Sequence, residues 1–515
     1  MENLMLRSDS RKVLKGALLL LYLVICLDAN SQLFSSVYQK DRPAMVFDNV
    51  VTNNDTVYIL GLTAKAQPVG FNFRLLLGKV PLYEPDSLNA EVFIDSQPVD
   101  YAAWYNSLSR DKISNGYSAT GYIYREREGV LLLTLDENFN PTLLKEIFNT
   151  DTSLLSYKGM KVLRYDSSTF FISGIIQHAN GNSNTLLLKT DISGNLIFQK
   201  EFGTGTWYEY ASSMAKLKNG RILIGSSKSY ENRPYAVSQT WLLEVDTNGV
   251  LKRQWFDPND STYGAYSLRQ TKDGGYVYAA QKAEWQTINN AFCVATIVKM
   301  DSAFNKQWTF RGGGVTPETG IFDIEELEEG TFIACGNTSY AHPDSTITSG
   351  WIIKLSSTGE MIWQKNYEGF ATYGAINYLY DVDVLSDGGF IACGEANGDN
   401  GQFGWLLKVD SNGCEVENCG VGIDEVVKPE ISGIKVYPNP ASTEITLDYT
   451  SIDWAQQGEL SIVLMNSLGQ IIHHEKLPMY SVFQRIDVSK FPVGFYLAHI
   501  KRNNTTIATS KFAKQ

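Results

Sequence analysis

An apolar run closed by an acidic or hydroxyl residue recurs along this chain at an almost fixed interval, and that interval limits the fold more than any other feature. "LLLTLD", "LLLKTD", "WLLEVD", "TIVKMD", "WIIKLS" and "WLLKVD" end at Asp136, Asp191, Asp246, Asp301, Ser356 and Asp410, spaced by 55, 55, 55, 55 and 54 residues. A second landmark precedes each: "YSATGY" at Tyr117, "FISGII" at Phe171, "ILIGSS" at Ile222, "YVYAAQ" at Tyr276, "FIACGN" at Phe332 and "FIACGE" at Phe390. Projecting back one period reaches Pro81, with "VYILGL" from Val57 as the matching first landmark, so seven copies run from about residue 47 to 413.

The runs in each copy are short, rich in β-branched and aromatic residues, and bounded by turn signals such as "KDGG", "SDGG", "TNG" and "SNG". Four strands per copy at this period specify a propeller blade, not a helical solenoid. Trp308 and Trp363 stand seven residues after their landmark, Phe198 holds the same place, and Trp255 lies two further on; these rings are expected to pack between blades. The seventh copy lacks an outer strand, because "CEVENCG" is a poor one, while "LFSSVYQK" (Leu33–Lys40) resembles the outer strand "MIWQKNY". The N-terminal strand is therefore expected to complete the last blade and remove the exposed edge of an open ring.

If strands run outward from the centre, the "DGG" and "NG" turns share one face, and the second-to-third-strand loops and blade connectors share the other. That second set is long and aromatic, and binding residues favour loops on a rigid scaffold. Trp207, Tyr208, Tyr210, Tyr230, Tyr235, Trp285, Tyr340 and Tyr373 are the candidate ligand-facing residues; the alternative is that they pack the blade rims.

Catalytic signals are sparse. His178 and His342 each stand alone in a polar loop, and no H-E-x-x-H, G-x-S-x-G or phosphate loop occurs. The spacing at Asp191–Gly194 and Asp246–Gly249 is not that of a sialidase Asp-box. "DIEELEEG" (Asp323–Gly330) reads as a solvated strand edge and turn, and "DVDV" places Asp381 and Asp383 on one side of a strand; calcium is the one ion such oxygen ligands could take, and no cofactor is specified. A net charge of −12 disfavours phosphate-backbone binding and so nucleic acid. Of the cysteines, Cys414 and Cys419 sit in a turn-rich segment that favours a local disulfide, whereas Cys335 and Cys393, both in "FIACG", read as small buried strand residues.

Both termini read as addresses. Arg7, Arg11, Lys12 and Lys15 precede the apolar run Gly16–Leu27, with Ala29 and Ser31 at the −3 and −1 positions of a cut before Gln32, as in a signal peptide. After a short acidic linker at 420–431, residues 432–515 alternate as about seven short strands, the pattern of a small Ig-like β-sandwich. "VYPNPA" (Val436–Ala441), "LMNSLGQII" (Leu464–Ile472), "PVGFYLAHI" (Pro492–Ile500) and the closing "SKFAKQ" resemble the type A C-terminal sorting domain of the type IX secretion system of Bacteroidota. The resemblance implies that Pro438, Asn439, Pro440, Gly469, Gly494, Tyr496, Lys511 and Lys514 carry the signal, with Asn466 where an Asp is common. It implies export across the outer membrane by the secretion machinery, removal of the tail in the linker, and release or surface attachment.

The fold class expected is thus all-β, a seven-bladed β-propeller over 32–419 followed by a small Ig-like sandwich. Three functions fit: a secreted or cell-surface binding protein for a glycan or protein, a carbohydrate-active enzyme, and a structural or adhesive surface protein. A pair of carboxylates facing each other at the centre of the ring would favour the enzyme.

Overall fold

The computed structural model describes residues 33–415 and 434–515, apart from 40–43, 67–70, 94–99, 204–208, 230–237, 257–263, 288–289, 313–318, 343–344, 371–374, 399–400, 450–459, 467–469, 478–482 and 503–504. Strand β1 (Phe34–Tyr38) precedes seven units. Blade 1 comprises β2 (Ala44–Asn53), β3 (Thr56–Ala66), β4 (Phe71–Pro81) and β5 (Asn89–Phe93), and blade 2 comprises β6 (Asp100–Arg110), β7 (Tyr117–Tyr124), β8 (Glu128–Leu135) and β9 (Pro141–Ile147). Blade 3 holds β10 (Ser156–Arg164), β11 (Thr169–Gln177), β12 (Ser183–Asp191) and β13 (Leu196–Phe202); blade 4 holds β14 (Ala211–Lys216), β15 (Ile222–Ser229), β16 (Ser238–Val245) and β17 (Leu251–Phe256). Blade 5 is β18 (Ser267–Gln270), β19 (Tyr276–Thr287), β20 (Asn290–Met300) and β21 (Lys306–Gly312); blade 6 is β22 (Gly320–Glu326), β23 (Phe332–His342), β24 (Ser345–Leu355) and β25 (Met361–Tyr367). Blade 7 has only β26 (Ile376–Val384), β27 (Phe390–Gly398) and β28 (Gly401–Val409) from its own stretch of chain, and β1 supplies its outer strand, antiparallel to β28 with Val37 opposite Trp405.

The first strands of successive blades pack side by side, and β26 returns to β2, so the ring is closed. The apolar residues form seven separate cores, each between two neighbouring blades. Val130, Leu132, Phe170 and Ile172 join blades 2 and 3, and Phe34, Phe47, Ile59, Ile391 and Leu406 join blades 7 and 1. The inner strands of a blade therefore bury both faces while the outer strands stay largely exposed, which is why the third strands read as continuous apolar runs and not as alternating ones.

The landmarks have local causes. The Asp or Ser ending each third strand caps the following turn: Asp191 Oδ1 accepts from the backbone N–H of Ser193 and Asn195, Asp246 Oδ1 from Asn248 and Val250, and Ser356 Oγ from Thr358 and Glu360. The turn glycine then meets the bulky residue of the preceding blade's outer strand, Gly249 against Phe198, Gly359 against Trp308 and Gly413 against Trp363. Phe139 and Phe304 replace that glycine in blades 2 and 5 at φ of 62° and 69°, and both bury their rings. The glycine of "FIACG" answers a different need. Gly61, Gly121, Gly174, Gly336 and Gly394 lie where an added Cβ would enter a carbonyl oxygen of the first strand, those of Val46, Ala102, Lys158, Gly320 and Tyr378. That close approach accompanies a β-bulge in the first strand, such as the shift between Leu379 and Asp381. Blade 4 has Ser226 in the slot, and its hydroxyl donates to the Tyr210 carbonyl at 2.9 Å.

The C-terminal unit comprises β29 (Lys435–Tyr437), β30 (Glu444–Asp448), β31 (Leu460–Asn466), β32 (Ile471–Lys476), β33 (Phe483–Asp487), β34 (Gly494–Arg502) and β35 (Thr505–Lys514). Two sheets, β29-β30-β33 and β32-β31-β34-β35, enclose a core of Ile445, Leu447, Ile462, Leu464, Tyr496, Ile500 and Phe512, a small sandwich as the alternation predicts. Among the described residues no helix is long and apolar enough to cross a membrane.

The bulge glycine gives the first prediction. Gly394→Ala forces backbone apart that cannot relax as a side chain can, and should lower the unfolding free energy by about 3 kcal/mol. Denaturant unfolding of the variant beside its parent measures this; an unchanged midpoint would contradict it.

Candidate functional site

The centre of the ring is layered, and the bulges set the layers. On the side of the loops that join second to third strands lies an aromatic cluster. Blade 2 builds it, because its bulge is not one residue but Trp104–Ser107, between the pairs Ala103–Gly121 and Leu108–Ala119. Asn106, at φ 62°, crosses the ring and donates through Nδ2 to the carbonyls of Phe322 (2.7 Å) and Tyr266 (3.2 Å) in blades 6 and 5. Asn tolerates this left-handed conformation better than most residues. Tyr105 beside it stacks on Tyr380 (centroids 5.6 Å, planes 12° apart) and meets Phe322 and Tyr266 edgewise or tilted, while Trp104 lies against Tyr122 at 6.0 Å. Tyr378 completes the group beside Phe322 and Tyr380.

Two carboxyl groups border these rings. Asp48, on the bulge of β2, is 5% exposed and its Oδ2 has no hydrogen-bond partner. Glu395, near the end of β27, is 6% exposed and receives hydrogen bonds from Gln402, Tyr380 and Asn397. Burial, and then the neighbouring Glu395, push the Asp48 carboxyl well above the ordinary carboxylate range; burial raises Glu395 as well, against the lowering effect of its neutral donors. The Trp104 indole N–H is likewise buried without an acceptor.

The next layer joins blade to blade. Asn49 donates to the Trp104 carbonyl (2.9 Å), Lys161 to that of Leu108 (2.8 Å), Ser213 to that of Ala265 (2.5 Å), and Ser267 to Asp323 (2.7 Å); Asp323 shares a hydrogen bond with Asp381, which accepts from the Val50 N–H at 2.8 Å. Toward the tight turns, ion pairs replace these bonds: Arg269 with Asp323 (3.0 Å) and Glu325 (3.1 Å), Arg110 with Asp383 (2.6 Å), and Arg164 with Asp111 (2.5 Å). Burial lowers Lys161 toward neutrality, aided by Arg269.

The expectation of a solvated edge at Asp323–Gly330 is therefore corrected for its strand half: Asp323 is fully buried and Glu325 half-buried, both held by Arg269, whereas Glu328 and Glu329 in the turn are exposed. Asp381 and Asp383 do share a strand side, but their oxygens are taken by Val50, Thr52 and Arg110. Among the described residues no group of three His, Cys, Asp or Glu is arranged to hold a metal ion. His178 is not alone, since its Nε2 lies 2.9 Å from Glu201. Cys335 and Cys393 are buried free thiols, as expected. Cys414 is disulfide-bonded, and Cys419 lies outside the described residues.

Of the loop aromatics, Trp207, Tyr208, Tyr230, Tyr235 and Tyr373 lie outside the described residues, and Trp285 and Tyr340 are described only as backbone opposite Ala291 and Ile347. Tyr210 is half-buried, its carbonyl accepting from Ser226 and Ser227. The central aromatics Trp104, Tyr105, Tyr122, Tyr266, Phe322, Tyr378 and Tyr380 escape a loop-directed search because they stand on first and second strands. The aromatic–acid pairs Phe322–Asp323 and Tyr380–Asp381, at matching places in consecutive copies, are the signal that points to them.

In the C-terminal unit the two ends of the candidate signal prove to be one element. Asn439, between Pro438 and Pro440, accepts from the Ala513 N–H (2.9 Å) and donates to the Lys511 carbonyl, and Ala441 exchanges backbone hydrogen bonds with Ala513 and Gln515. Tyr496 stacks on Phe512 at 5.3 Å and donates to the Pro492 carbonyl. Gly494 starts β34, Lys514 is largely buried and Lys511 exposed, and Gly469 lies outside the described residues. Asn466 does the work of an Asp, accepting from the Gln470 N–H at 3.0 Å.

Residues 435–515 match the family of secretion system C-terminal sorting domains. This unit is a type IX sorting domain, and the propeller before it is exported cargo. No curated protein matches the chain. Among solved structures, similarity is found to an α-L-arabinanase of Penicillium chrysogenum complexed with arabinobiose (9% identity, 74% of this chain and 98% of that one, TM-score 0.37). It is also found to an endo-arabinase of Bacteroides thetaiotaomicron (11%, 59% and 92%, 0.33) and to the β-propeller domain of the Trilobed protease of Pyrococcus furiosus (11%, 72% and 98%, 0.34). Likeness at this level carries no information on activity.

The Asp323–Asp381 pair yields a pH prediction. Burial, then Asp323, hold the Asp381 carboxyl well above its ordinary 3.8. A carboxyl raised in this way stabilises the fold fully below about pH 4 and loses that contribution as pH rises through its folded value. Asp381→Asn keeps a donor for Asp323 and an acceptor for Val50 while abolishing the titration. From about pH 4 upward the variant should gain on its parent by about 1.4 kcal/mol per pH unit until Asp381 ionises. Parallel unfolding curves at every pH would contradict this.

Proposed function

We propose that the exported propeller is a binding protein that takes a glycan at the aromatic centre of the ring, on the loop-bearing side. The observation that carries this reading is the cluster of Trp104, Tyr105, Tyr122, Phe322, Tyr378 and Tyr380, half-buried rings gathered from three blades around two carboxyl groups. Aromatic faces suit the apolar face of a sugar ring, and their hydroxyls, with Asp48 and the Trp104 N–H, supply polar partners. The Asn106 crossing closes the centre beneath, so a ligand rests on the cluster and does not thread the ring. The sorting tail agrees with a site of action at the cell surface or beyond it.

One observation favours a carbohydrate-active enzyme as the second reading. Asp48 and Glu395 are paired carboxyl groups whose protonated forms persist above the usual range, the property a general acid needs.

Both readings meet in one experiment with the exported chain: co-sedimentation with a panel of polysaccharides, and mass spectrometry for fragments released in the same tubes. Binding without fragments is expected, with Tyr378→Ala weakening it about tenfold, the equivalent of a single lost stacking contact. Fragments abolished by Glu395→Gln would establish the enzyme in its place, and no binding to any glycan would remove both.

A further inference from the structure

Most buried carboxylates lower in the ring have cations; the exception, Asp381, accepts from the Val50 N–H and shares a hydrogen bond with Asp323. Asp323 and Glu325 share Arg269, Asp383 has Arg110, Asp111 has Arg164, and in blade 4 Glu244 has Arg221 and Arg253. Asp48 and Glu395 differ. The partners of Glu395 are the neutral side chains of Gln402, Tyr380 and Asn397, and Asp48 Oδ2 is buried with no partner. Lys158 lies over the outer ring of the cluster, Tyr122, at 4.7 Å, but is paired with Glu128 at 3.1 Å. Lys161 belongs to the layer beneath, donating to the Leu108 carbonyl.

Two acids with no counter-charge are expensive to bury in ionised form, so burial favours the protonated form of each. They also stand among aromatic faces, which attract cations through the ring quadrupole. One ligand feature satisfies both: an ammonium group, which ionises the carboxyls by pairing with them and lies against the rings as it does so. A neutral sugar offers hydroxyls to the rings but leaves the acids protonated.

We propose that the aromatic centre recognises an amino sugar, a glycan unit with a free, protonated amine held between Asp48, Glu395 and the faces of Tyr105 and Tyr380. This rests on the glycan reading above and specifies the ligand class. Binding moves protons in a defined direction, since each carboxyl that pairs with the ammonium gives its proton to solvent. Affinity therefore rises with pH until the amine itself deprotonates. The titratable groups facing the site are Asp48, Glu395, Tyr105, Tyr122, Tyr378 and Tyr380, with Tyr210 beside Tyr105 and Glu128, Asp100 and Lys158 beside Tyr122; Tyr105, Tyr122 and Tyr380 are held above their ordinary range by burial first.

The test is isothermal titration of the full exported chain with a glucosamine trisaccharide and with its N-acetylated counterpart, in buffers of different ionisation enthalpy, with methylammonium as a third probe. The expected result is at least tenfold tighter binding of the free amine, with proton release that Glu395→Gln and Asp48→Asn each reduce while far-UV circular dichroism stays unchanged. Should either variant fail to fold, the comparison of amine with N-acetyl form on the unaltered chain decides alone. Equal binding of both trisaccharides without proton release overturns this inference and leaves the glycan reading standing. Methylammonium binding with proton release, and neither trisaccharide bound, overturns the glycan reading and keeps the ammonium site. Silence of all three probes overturns both.

Discussion

Everything central in this molecule depends on closing the ring, and the propeller closes it with its own first and last strands. Strand β1 pairs with β28, the Trp405 indole donates to Ser35 Oγ at 2.9 Å across 370 residues of sequence, and Asp381 and Asp383 of the last blade accept the backbone N–H groups of Val50 and Thr52 in the first. Seven sheets that each bury both faces have no stable partial arrangement, because a missing neighbour exposes a whole core. The close approach of first and second strands, permitted by a glycine in five blades, then narrows the centre until Asn106 can span it.

Much of this is legible in the sequence. The fixed spacing of the Asp landmarks follows from a turn that each carboxylate caps, and a turn recurring once per blade measures the blade. The N-terminal strand is legible because a seventh copy without an outer strand needs one. The sorting tail is legible as separate motifs, although only the fold explains why "PNPA" and the closing residues belong together: Asn439 binds the last strand.

The centre is harder to read, for a definite reason. A β-bulge reverses the inward and outward alternation of every residue after it. Counted in twos, Asp323 falls on a solvated edge; counted past the shift between Ile321 and Asp323, it falls inside. The insertion at Trp104–Ser107 occurs in one copy alone, so periodicity gives it no signal. The loop aromatics proposed from the sequence belong largely to segments outside the described residues, whereas the aromatics that converge stand on inner strands, where Tyr and Phe resemble ordinary core. Charge adds a second distinction, invisible without the fold: the lower layers pair Asp323, Glu325, Asp383 and Asp111 with arginines, whereas among the described residues no ion pair reaches the acids beside Tyr105.

The ring exists only with β1 in place, since the layered centre follows from closure. Native-state hydrogen exchange of the exported chain measures this directly. The amides of Phe34–Tyr38 and of β28 should exchange together, at a free energy matching that of β2 and β26, the inner strands on either side of the closure. Rapid exchange of β1 while β26, β27 and β28 stay protected would contradict it, because the ring would then be holding its shape without the strand that is said to close it.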